Sequence, residues 1–467
     1  QIAPNAAAAY SLRSLTGGDP TVVRVRRGSD NHEQDFTASE VSAGALTSFV
    51  NAQVVAPLDI QALEANGRTG DFLIAKAAYS LRSLGTRQAT LAATGDTVAR
   101  ADGKFVAQVR RSSDDALKSF TAAEVSDGTL VAFVNDILTV TTAINGTGSF
   151  DSYTVTNAST TGFSADNSAG GTGSAGFPYS FGNGDVIVIK YTVTNFSDTS
   201  DLSPQVRGVT ATSSVVPVTS LGSVIRANGT YTDTLTASAD GTHLMYADGG
   251  TGSYTISDFE IVSHASNGFV KTWYDQSVTN EAGDTATGNH ATQATAASQP
   301  KIVDGGSLVS GGGLLLDGTD DFFQLSSDIV VENLPLGIFA IQDTQTSNNF
   351  TLGTSSNRGL SFDDTKIIYY LTQAQRNIDL GSTISGEKLF SVIHDGTTDT
   401  DNLKGYVNGE EFISSTDTGT QNFTNGIRFI GTRKDADSYL SGNIQELIVY
   451  TSDQTDNRTA IEANIGE

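Results

Sequence analysis

Three carboxylates in one short run form the densest group of potential metal ligands in the sequence. Asp317, Asp320 and Asp321 lie in the run DGTDD, and carboxylate oxygens are the ligands that Ca²⁺ prefers. The same run is also typical of a tight turn, because aspartate side chains accept hydrogen bonds from nearby backbone N–H groups. We favour the turn and keep a calcium site as the alternative.

The histidines do not form a catalytic or metal-binding pattern. The five are His32, His243, His264, His290 and His394. They are far apart and show no HExxH spacing, and no GxxxxGK[ST] phosphate loop is present. The sequence also has no cysteine, which excludes disulfides, thiolate metal sites and cysteine nucleophiles. Many acids are present, but no pair can be assigned as the two carboxylates of a glycosidase.

Aromatic side chains are the candidates for sugar binding. The apolar face of a sugar stacks on a ring, while its hydroxyls need polar groups nearby. Trp273 and Tyr274 fit by type, but neighbouring residues of a strand point to opposite sides, and we expect Trp273 to be the core residue. The candidate sugar-binding tyrosines are Tyr179, Tyr246, Tyr274, Tyr369 and Tyr439.

The paired arginines of the run VRR are predicted to be structural. Arg110 and Arg111 point to opposite faces of a predicted strand. We therefore expect one of them to pair with Asp114 or Asp275 inside the domain. Such an ion pair holds the fold together and does not bind substrate.

Charge and composition exclude two classes of partner. The 467 residues include 27 Lys plus Arg and 52 Asp plus Glu, a net charge of −25, which repels nucleic acid. No run approaches the roughly 18 apolar residues of a membrane span, so membrane insertion is not predicted. The chain starts at Gln1 without a signal segment, and we expect it to be the processed or ordered part of something longer.

The patterning predicts an all-β protein with a few short helices. Windows such as 185–196, 230–239 and 443–451 are rich in β-branched and aromatic residues, and clusters of Gly, Asn, Asp and Ser separate them. Predicted helices are short and cover 43–53, 127–136 and 452–465. The run VNGEE (407–411) contains the Asn-Gly signal of a tight hairpin.

An internal repeat occupies the first third of the chain. AAYSLRSL occurs at 8–15 and again at 77–84. Residues 25–51 and 109–135 are identical at 16 of 27 positions, which makes a common origin the simplest explanation. Additional polar residues between the blocks of the second copy, within 85–104, predict a surface hairpin or loop.

The repeat and the strand pattern divide the chain into four segments. Residues 1–77 form a partial repeat and a linker, and 78–136 begin a lectin-like sandwich. Residues 137–262 read as an inserted β-sandwich or jelly roll, and 263–467 form the main body of the parent sandwich. Because the first copy is not followed by the remaining strands of a sandwich, its apolar residues must be covered by the second copy or by a neighbouring subunit.

The sequence resembles a domain that is common in tail and other virion proteins of marine bacteriophages. That domain is similar to the catalytic domain of the arabinofuranosidase B family. The runs that carry the resemblance are AYSLRSL (78–84), VRRSSD with FTAAEV (109–125), GFVKTWYDQS (268–277), NHATQATAASQPKIV (289–303) and LLLDGTDDFFQL (314–325). Within this motif we expect His290 to hold a loop against the sandwich.

Two further resemblances concern the end of the chain and the insertion. The C-terminal runs 404–411 and 439–465 resemble concanavalin-A-like or laminin-G-like sandwiches, and 137–262 looks like carbohydrate-binding-module jelly rolls. The latter resemblance implies a structural calcium ligand at Asp258. The arabinofuranosidase pocket uses a vicinal cysteine pair and a following glutamate, and the matching stretch 336–364 contains neither.

These observations predict a non-enzymatic structural protein located in a virion. We expect a tail-fibre, tail-associated or capsid-decorating subunit that forms a homo-oligomer, a trimer or a larger symmetric assembly. Its further expected partners are other virion proteins and a host surface glycan. Two alternatives stay open. One is a secreted glycoside hydrolase or its binding module, and the other is a subunit of a bacterial surface or extracellular filament, acting as an adhesin.

Overall fold

A computed structural model describes most of the chain from residue 105 onward and shorter pieces before it. The described residues are 21–26, 33–43, 45–46, 75–82, 89–90, 97–98, 105–145, 154–166, 175–197, 206–209, 223–246, 252–277, 288–330, 335–345, 349–356, 358–371, 375–397, 402–415, 426–433 and 438–465. Strands dominate these residues and pair antiparallel in large sheets. The predicted all-β class is confirmed.

The repeat is visible as two matching strand–strand–helix units. The first consists of β1 (Thr21–Arg26), β2 (Glu33–Thr37) and α1 (Ala38–Ser42). The chain continues with β3 (Ala77–Ser80), β4 (Ala89–Thr90) and β5 (Thr97–Val98). The second unit consists of β6 (Phe105–Arg111), β7 (Leu117–Thr121) and α2 (Ala122–Ser126), followed by α3 (Thr129–Val134). Strands β4 and β5 form the predicted hairpin between the two blocks.

The two units share their strand register and their helix caps. Arg24 lies opposite Asp35 in the first unit, as Gln108 lies opposite Ser119 in the second. Both hairpins have a register shift at the same place, before the third residue of the leading strand. Helices α1 and α2 both begin with a reciprocal Thr–Glu capping box, in which two backbone donors are satisfied at once. Local sequence therefore determines this unit in both contexts.

The strands between the second unit and residue 265 form two sheets of their own. They are β8 (Ile144–Asn145), β9 (Thr154–Thr156), β10 (Phe163–Asp166), β11 (Ala175–Phe181), β12 (Val186–Thr194), β13 (Val206–Val209), β14 (Gly229–Thr236), β15 (Gly241–Tyr246) and β16 (Ser253–Ala265). One sheet has the order β14-β12-β16-β10-β9 and the other β13-β15-β11-β8. A separate apolar cluster, with Phe163, Phe177 and Ile189 among its members, lies between their strands.

The remaining strands belong to the parent domain. They are β17 (Gly268–Trp273), β18 (Ala291–Thr292), β19 (Lys301–Asp304), β20 (Ser307–Leu308), β21 (Leu314–Asp317), β22 (Phe323–Ile329), β23 (Leu336–Asp343), β24 (Leu352–Thr354), β25 (Gly359–Phe362), β26 (Lys366–Tyr370), β27 (Arg376–Asp379), β28 (Glu387–His394), β29 (Leu403–Val407), β30 (Glu410–Ser415), β31 (Ile427–Ile430) and β32 (Ser441–Tyr450). A 3₁₀ turn spans Ala296–Ser298, and the last helix is α4 (Arg458–Ile465).

The parent strands form two antiparallel rows. One row runs β7-β6-β17-β18-β22-β31-β24-β25-β26-β27, and the other runs β32-β23-β28-β29-β30 with β3 beside β32. Strands β19 and β21 join the rows. One apolar cluster takes side chains from both, including Phe323 and Leu360 from the first row and Ile338 and Phe390 from the second. This arrangement is consistent with a β-sandwich, and the concanavalin-A-like topology stays a prediction.

Helix α4 packs on the outer face of the second row. Side chains alternate along β23, so that Ile338 belongs to the inner core while Phe339 points outward. Phe339 and Tyr450 form an outer cluster with Ile461 and Ile465 of α4. The second row is therefore covered on both faces, which explains its nearly continuous apolar strands.

The chain returns from the inserted sheets to the parent sheet within two residues. Strand β16 ends at Ala265, beyond the predicted boundary at 262, and β17 begins at Gly268. A Cβ on Gly268 would lie 2.9 Å from Val134 and 3.3 Å from Val109. Only glycine allows the returning strand to pass so close to α3 and β6.

Candidate functional site

The run DGTDD forms a hydrogen-bonded turn in which three carboxylates converge. Asp317 Oδ1 accepts from the N–H groups of Thr319 at 2.7 Å and Asp320 at 3.2 Å, and Asp321 Oδ2 accepts from Asp317 N–H at 3.1 Å. One oxygen from each of Asp317, Asp320 and Asp321 lies within 4.8 Å of the others. The predicted turn is confirmed, and the calcium site stays a prediction.

Burial distinguishes Asp321 from its neighbours. Its residue is 7% exposed. Loss of solvent, and secondarily the charges of Asp317 and Asp320, raise the pKa of the Asp321 carboxyl to about 7. This turn therefore holds a carboxyl that ionises near neutral pH.

In the described part of the chain, Asp258 does not belong to such a cluster of three carboxylates. It is exposed on β16, where its φ of 54° and the register shift against β12 mark a β-bulge. Among the described residues, three converging acidic or histidine ligands occur in the DGTDD turn alone. The bulge explains the aspartate at this position, because Asp tolerates the left-handed conformation better than most residues.

Three of the candidate sugar-binding tyrosines are buried, and the expectation that they stack on sugars is wrong. Tyr179 is 3% exposed, Tyr274 6% and Tyr369 0%. Tyr179 packs in the core of the inserted sheets and Tyr369 in the core of the parent sandwich, while the Tyr274 hydroxyl lies 2.9 Å from that of Ser119. A ring without an open face cannot stack on a ligand.

The other two tyrosines lie near strand ends. Tyr246 pairs with Val206 at the end of β15, and its side chain lies outside the described part. Tyr439 is half-buried, and its ring centroid lies 6.3 Å from that of Phe322. Tyr439 is thus the candidate whose ring the structure leaves partly accessible.

Three structural roles predicted from the sequence are confirmed. Trp273 is fully buried. Arg111 pairs with Asp114 at 2.8 Å. His290 accepts from the N–H of Asp275 at 3.1 Å and so joins its loop to the end of β17.

A buried Ser–His–Asp cluster at the crossover does not have the geometry of a catalytic triad. His264 Nε2 lies 2.9 Å from Asp185 Oδ2 and 3.0 Å from Ser266 Oγ, so acid and serine share one nitrogen. The other nitrogen, Nδ1, lies 2.8 Å from the hydroxyl of Tyr179. A triad needs the acid and the nucleophile on opposite nitrogens. Moreover, all four side chains are buried.

This cluster instead ties the inserted sheets to the parent domain. Asp185 accepts from Ser112 Oγ at 2.6 Å and from the N–H of Gly182 at 2.8 Å. Ser112 follows β6, whereas Asp185 lies in the inserted segment. Asn267 adds a second link, because its N–H donates to Ser112 Oγ at 2.9 Å and its amide donates to the Asn183 carbonyl at 3.1 Å. We call these residues the crossover network.

In the described part of the chain, a groove on the outer face of the second row has the form of a ligand pocket. Its volume is about 490 Å³, within the range of small-molecule sites. The residues that line it are Ile341, Glu387, Lys388, Leu389, Asn408, Gly409, Thr459, Glu462 and Ala463. We call it the α4 groove.

Three elements form the α4 groove. Ile341 and Leu389 are cross-strand partners on β23 and β28, and they form its half-buried apolar floor. The hairpin between β29 and β30 forms one side, where Asn408 and Gly409 have φ angles of 50° and 81° as the predicted Asn-Gly turn requires. Helix α4 forms the other side.

The charged groups of the groove differ in their partners. Glu462 is buried, accepts from Ser391 Oγ at 2.8 Å and pairs with Arg458. Lys388 Nζ donates to the carbonyls of Ser385 at 2.6 Å and of Glu387 at 3.0 Å. Partial loss of solvent, and after it the charge of Asp343, raises the pKa of the Glu387 carboxyl. The Glu387 carboxylate accepts from the side-chain amide of Gln445 and, unlike the buried Glu462, is exposed to a ligand.

The α4 groove was not predicted from the sequence. The hairpin and the last helix were both predicted, but their meeting over β23 and β28 was not. The signal in the sequence that could have indicated it is that β23 carries apolar residues on both of its faces, which implies that another element covers the outer face.

Comparison with known proteins gives no identification. No protein-family model and no curated protein matches this chain. In the described part of the chain, no helix has the length and apolarity needed to cross a membrane.

Proposed function

We propose that this chain is a non-enzymatic structural subunit of an extracellular particle. The particle is a bacteriophage virion, in which the chain is a tail-fibre, tail-associated or capsid-decorating subunit, and its role includes adhesion to host surface glycan. The resemblance of residues 78–325 to virion domains motivates this origin. The acidic charge of −25 favours solubility in such a setting.

The observation that carries the proposal is the additional copy, formed by β1, β2 and α1, of the strand–strand–helix unit that begins the sandwich. In the second copy, β6 pairs with β7 on one side and with β17 on the other. The first copy repeats β6, β7 and α2, but the sequence after it does not repeat the β17 run GFVKTW. Among the described residues, β1 pairs with β2 alone, and a two-stranded unit is suited to pairing with a neighbouring subunit.

Burial of equivalent side chains supports the same role. Val109 and Val125 of the second copy lie in the sandwich core. Their equivalents in the first copy, Val25 and Val41, are only half-buried, whereas Phe36, the equivalent of Phe120, is fully buried in the first copy as well. We propose that a second copy of this chain covers them, because symmetric assemblies bury such surfaces between identical subunits.

Truncation tests the assembly role. Removal of residues 1–60 is expected to leave a folded monomer that no longer forms the native oligomer. Analytical ultracentrifugation and electron microscopy of the full-length and truncated chains measure this. If the truncated chain still forms the native oligomer, the proposed inter-subunit role is wrong.

A matched pair of point variants separates assembly from folding. Val25→Asp places a charge on the half-buried face of β1 and is expected to weaken assembly, whereas Thr21→Asp at the exposed start of the same strand is expected to leave it intact. The melting temperature of the monomer is the control. Equal assembly by both variants would contradict the proposed surface.

A further inference from the structure

We infer that the α4 groove binds a saccharide residue that carries a free amino group. This inference deepens the glycan adhesion proposed above and rests on it. It names the site and the chemical class of the ligand. Its basis is the shape of the groove together with the placement of its charges.

The shape suits a sugar ring. The floor consists of Ile341 and Leu389, which offer a small apolar surface for the apolar face of a ring. Thr459 and Ala463 are exposed on the α4 side, and Asn408 is exposed on the hairpin side. A groove of about 490 Å³ that combines an apolar floor with polar groups at its sides has a form suited to a small ligand.

Glu387 lines the groove, and a second carboxylate, that of Asp343, lies directly opposite it on the neighbouring strand. Asp343 on β23 and Glu387 on β28 are cross-strand partners, and directly paired residues of an antiparallel ladder lie on the same face. Like charges in this position destabilise a sheet. Among the described residues, no salt bridge joins either carboxylate to a cationic side chain, and their hydrogen-bond partners are neutral: Asp343 accepts from the Asn443 N–H at 2.8 Å and Glu387 from the side-chain amide of Gln445. The pair therefore creates a local negative potential beside the floor.

The cationic side chains nearby have other partners. The Lys388 ammonium donates to the Ser385 and Glu387 carbonyls at 2.6 and 3.0 Å. Arg458 pairs with Glu462, and its guanidinium lies 4.0 Å from the ring centre of Tyr406. A ligand ammonium next to Glu387 would form the salt bridge that neither of these side chains makes with it.

The comparison of two ligand series tests the inference. Glucosamine oligomers and N-acetylglucosamine oligomers of equal length differ in charge but share the ring and the linkage. Binding of both to the full-length chain is measured by isothermal titration calorimetry at about pH 6, where an amine is protonated. The glucosamine oligomer is expected to bind at least about tenfold more tightly, because a hydrogen bond to a charged group exceeds a neutral one.

Matched variants locate the binding. Glu387→Gln is expected to lower the affinity for the glucosamine oligomer by about tenfold or more, whereas Glu410→Gln on the adjacent hairpin is not. Ala463→Trp fills the groove and is expected to abolish binding, while Ala460→Trp, on an exposed α4 position outside the lining, retains it. Melting temperatures of all four variants confirm that each is folded.

Two outcomes would overturn the inference. Equal or tighter binding of the N-acetylated series would show that charge does not select the ligand, and unchanged affinity in Glu387→Gln and Ala463→Trp would show that the ligand binds elsewhere. Either outcome leaves the oligomer measurements on the truncated chain unaffected. Failure of the groove is thus distinguishable from failure of the proposed structural role.

Discussion

At the scale of single residues, Asp321 is a carboxyl group that is buried beside two other carboxylates. Its pKa is raised to about 7, above the roughly 3.9 of an unfolded chain. The neutral form therefore stabilises the fold below about pH 4, and this stabilisation is lost as the pH rises through about 7. Asp321→Asn is expected to raise the free energy of unfolding at about pH 8 by on the order of 1–3 kcal/mol and to change it little at about pH 4.

Chemical denaturation at both pH values measures this effect. Asp379→Asn is the matched control, because Asp379 also accepts a turn N–H, from Gly381 at 2.8 Å, but is exposed. Its pH dependence is expected to equal that of the wild type. A rise in wild-type melting temperature with Ca²⁺ but not Mg²⁺, abolished by Asp321→Asn, would instead make the turn a calcium site.

Several elements meet where β16 passes into β17. The carboxylate of Asp185 accepts from Ser112 and Gly182 and lies beside His264 in the crossover network. Asp185→Ala would leave these groups buried without their acceptor, and we expect it to lower the free energy of unfolding by on the order of 3–5 kcal/mol. Thermal unfolding followed by calorimetry measures the loss.

The control for the crossover lies in the same loop region. Asp240 accepts from the N–H of Asn183 at 2.8 Å but is exposed, so Asp240→Ala is expected to cost less than about 1 kcal/mol. Equal losses in the two variants would mean that burial of the network contributes no stability.

At the scale of the whole molecule, the inserted sheets have the components of an independent folding unit. Their apolar cluster is separate from that of the parent sandwich, and a guest whose ends lie close together is tolerated within a host. We predict that residues 137–265 fold alone. The segment ends at 265 because β16 ends there.

Expression of this segment tests the prediction. We expect a cooperative thermal transition and well-dispersed amide resonances. A gradual melt with poor dispersion would show that the inserted sheets need the parent domain. The parent chain with Asp185→Ala provides a comparison in which the two units stay linked but the crossover network is broken.

The sequence by itself determined the features that depend on neighbouring residues. The repeat is such a feature: its two copies fold alike, and the shared capping boxes at Thr37 and Thr121 show why, since each is built within one turn. The Asn-Gly run at 408–409 predicted its hairpin for the same reason. The all-β class followed from alternation and turn residues along the whole chain.

Only the tertiary structure decided which side of each strand meets the core and which surfaces meet one another. Tyr179 and Tyr369 were plausible sugar platforms because the type and spacing of a tyrosine are the same on either face of a strand. Both are buried because their rings lie on the strand face that packs into an apolar core. The α4 groove brings together Ile341, Glu387 and Glu462, which are far apart in the chain, and such proximity depends on packing that no local pattern encodes.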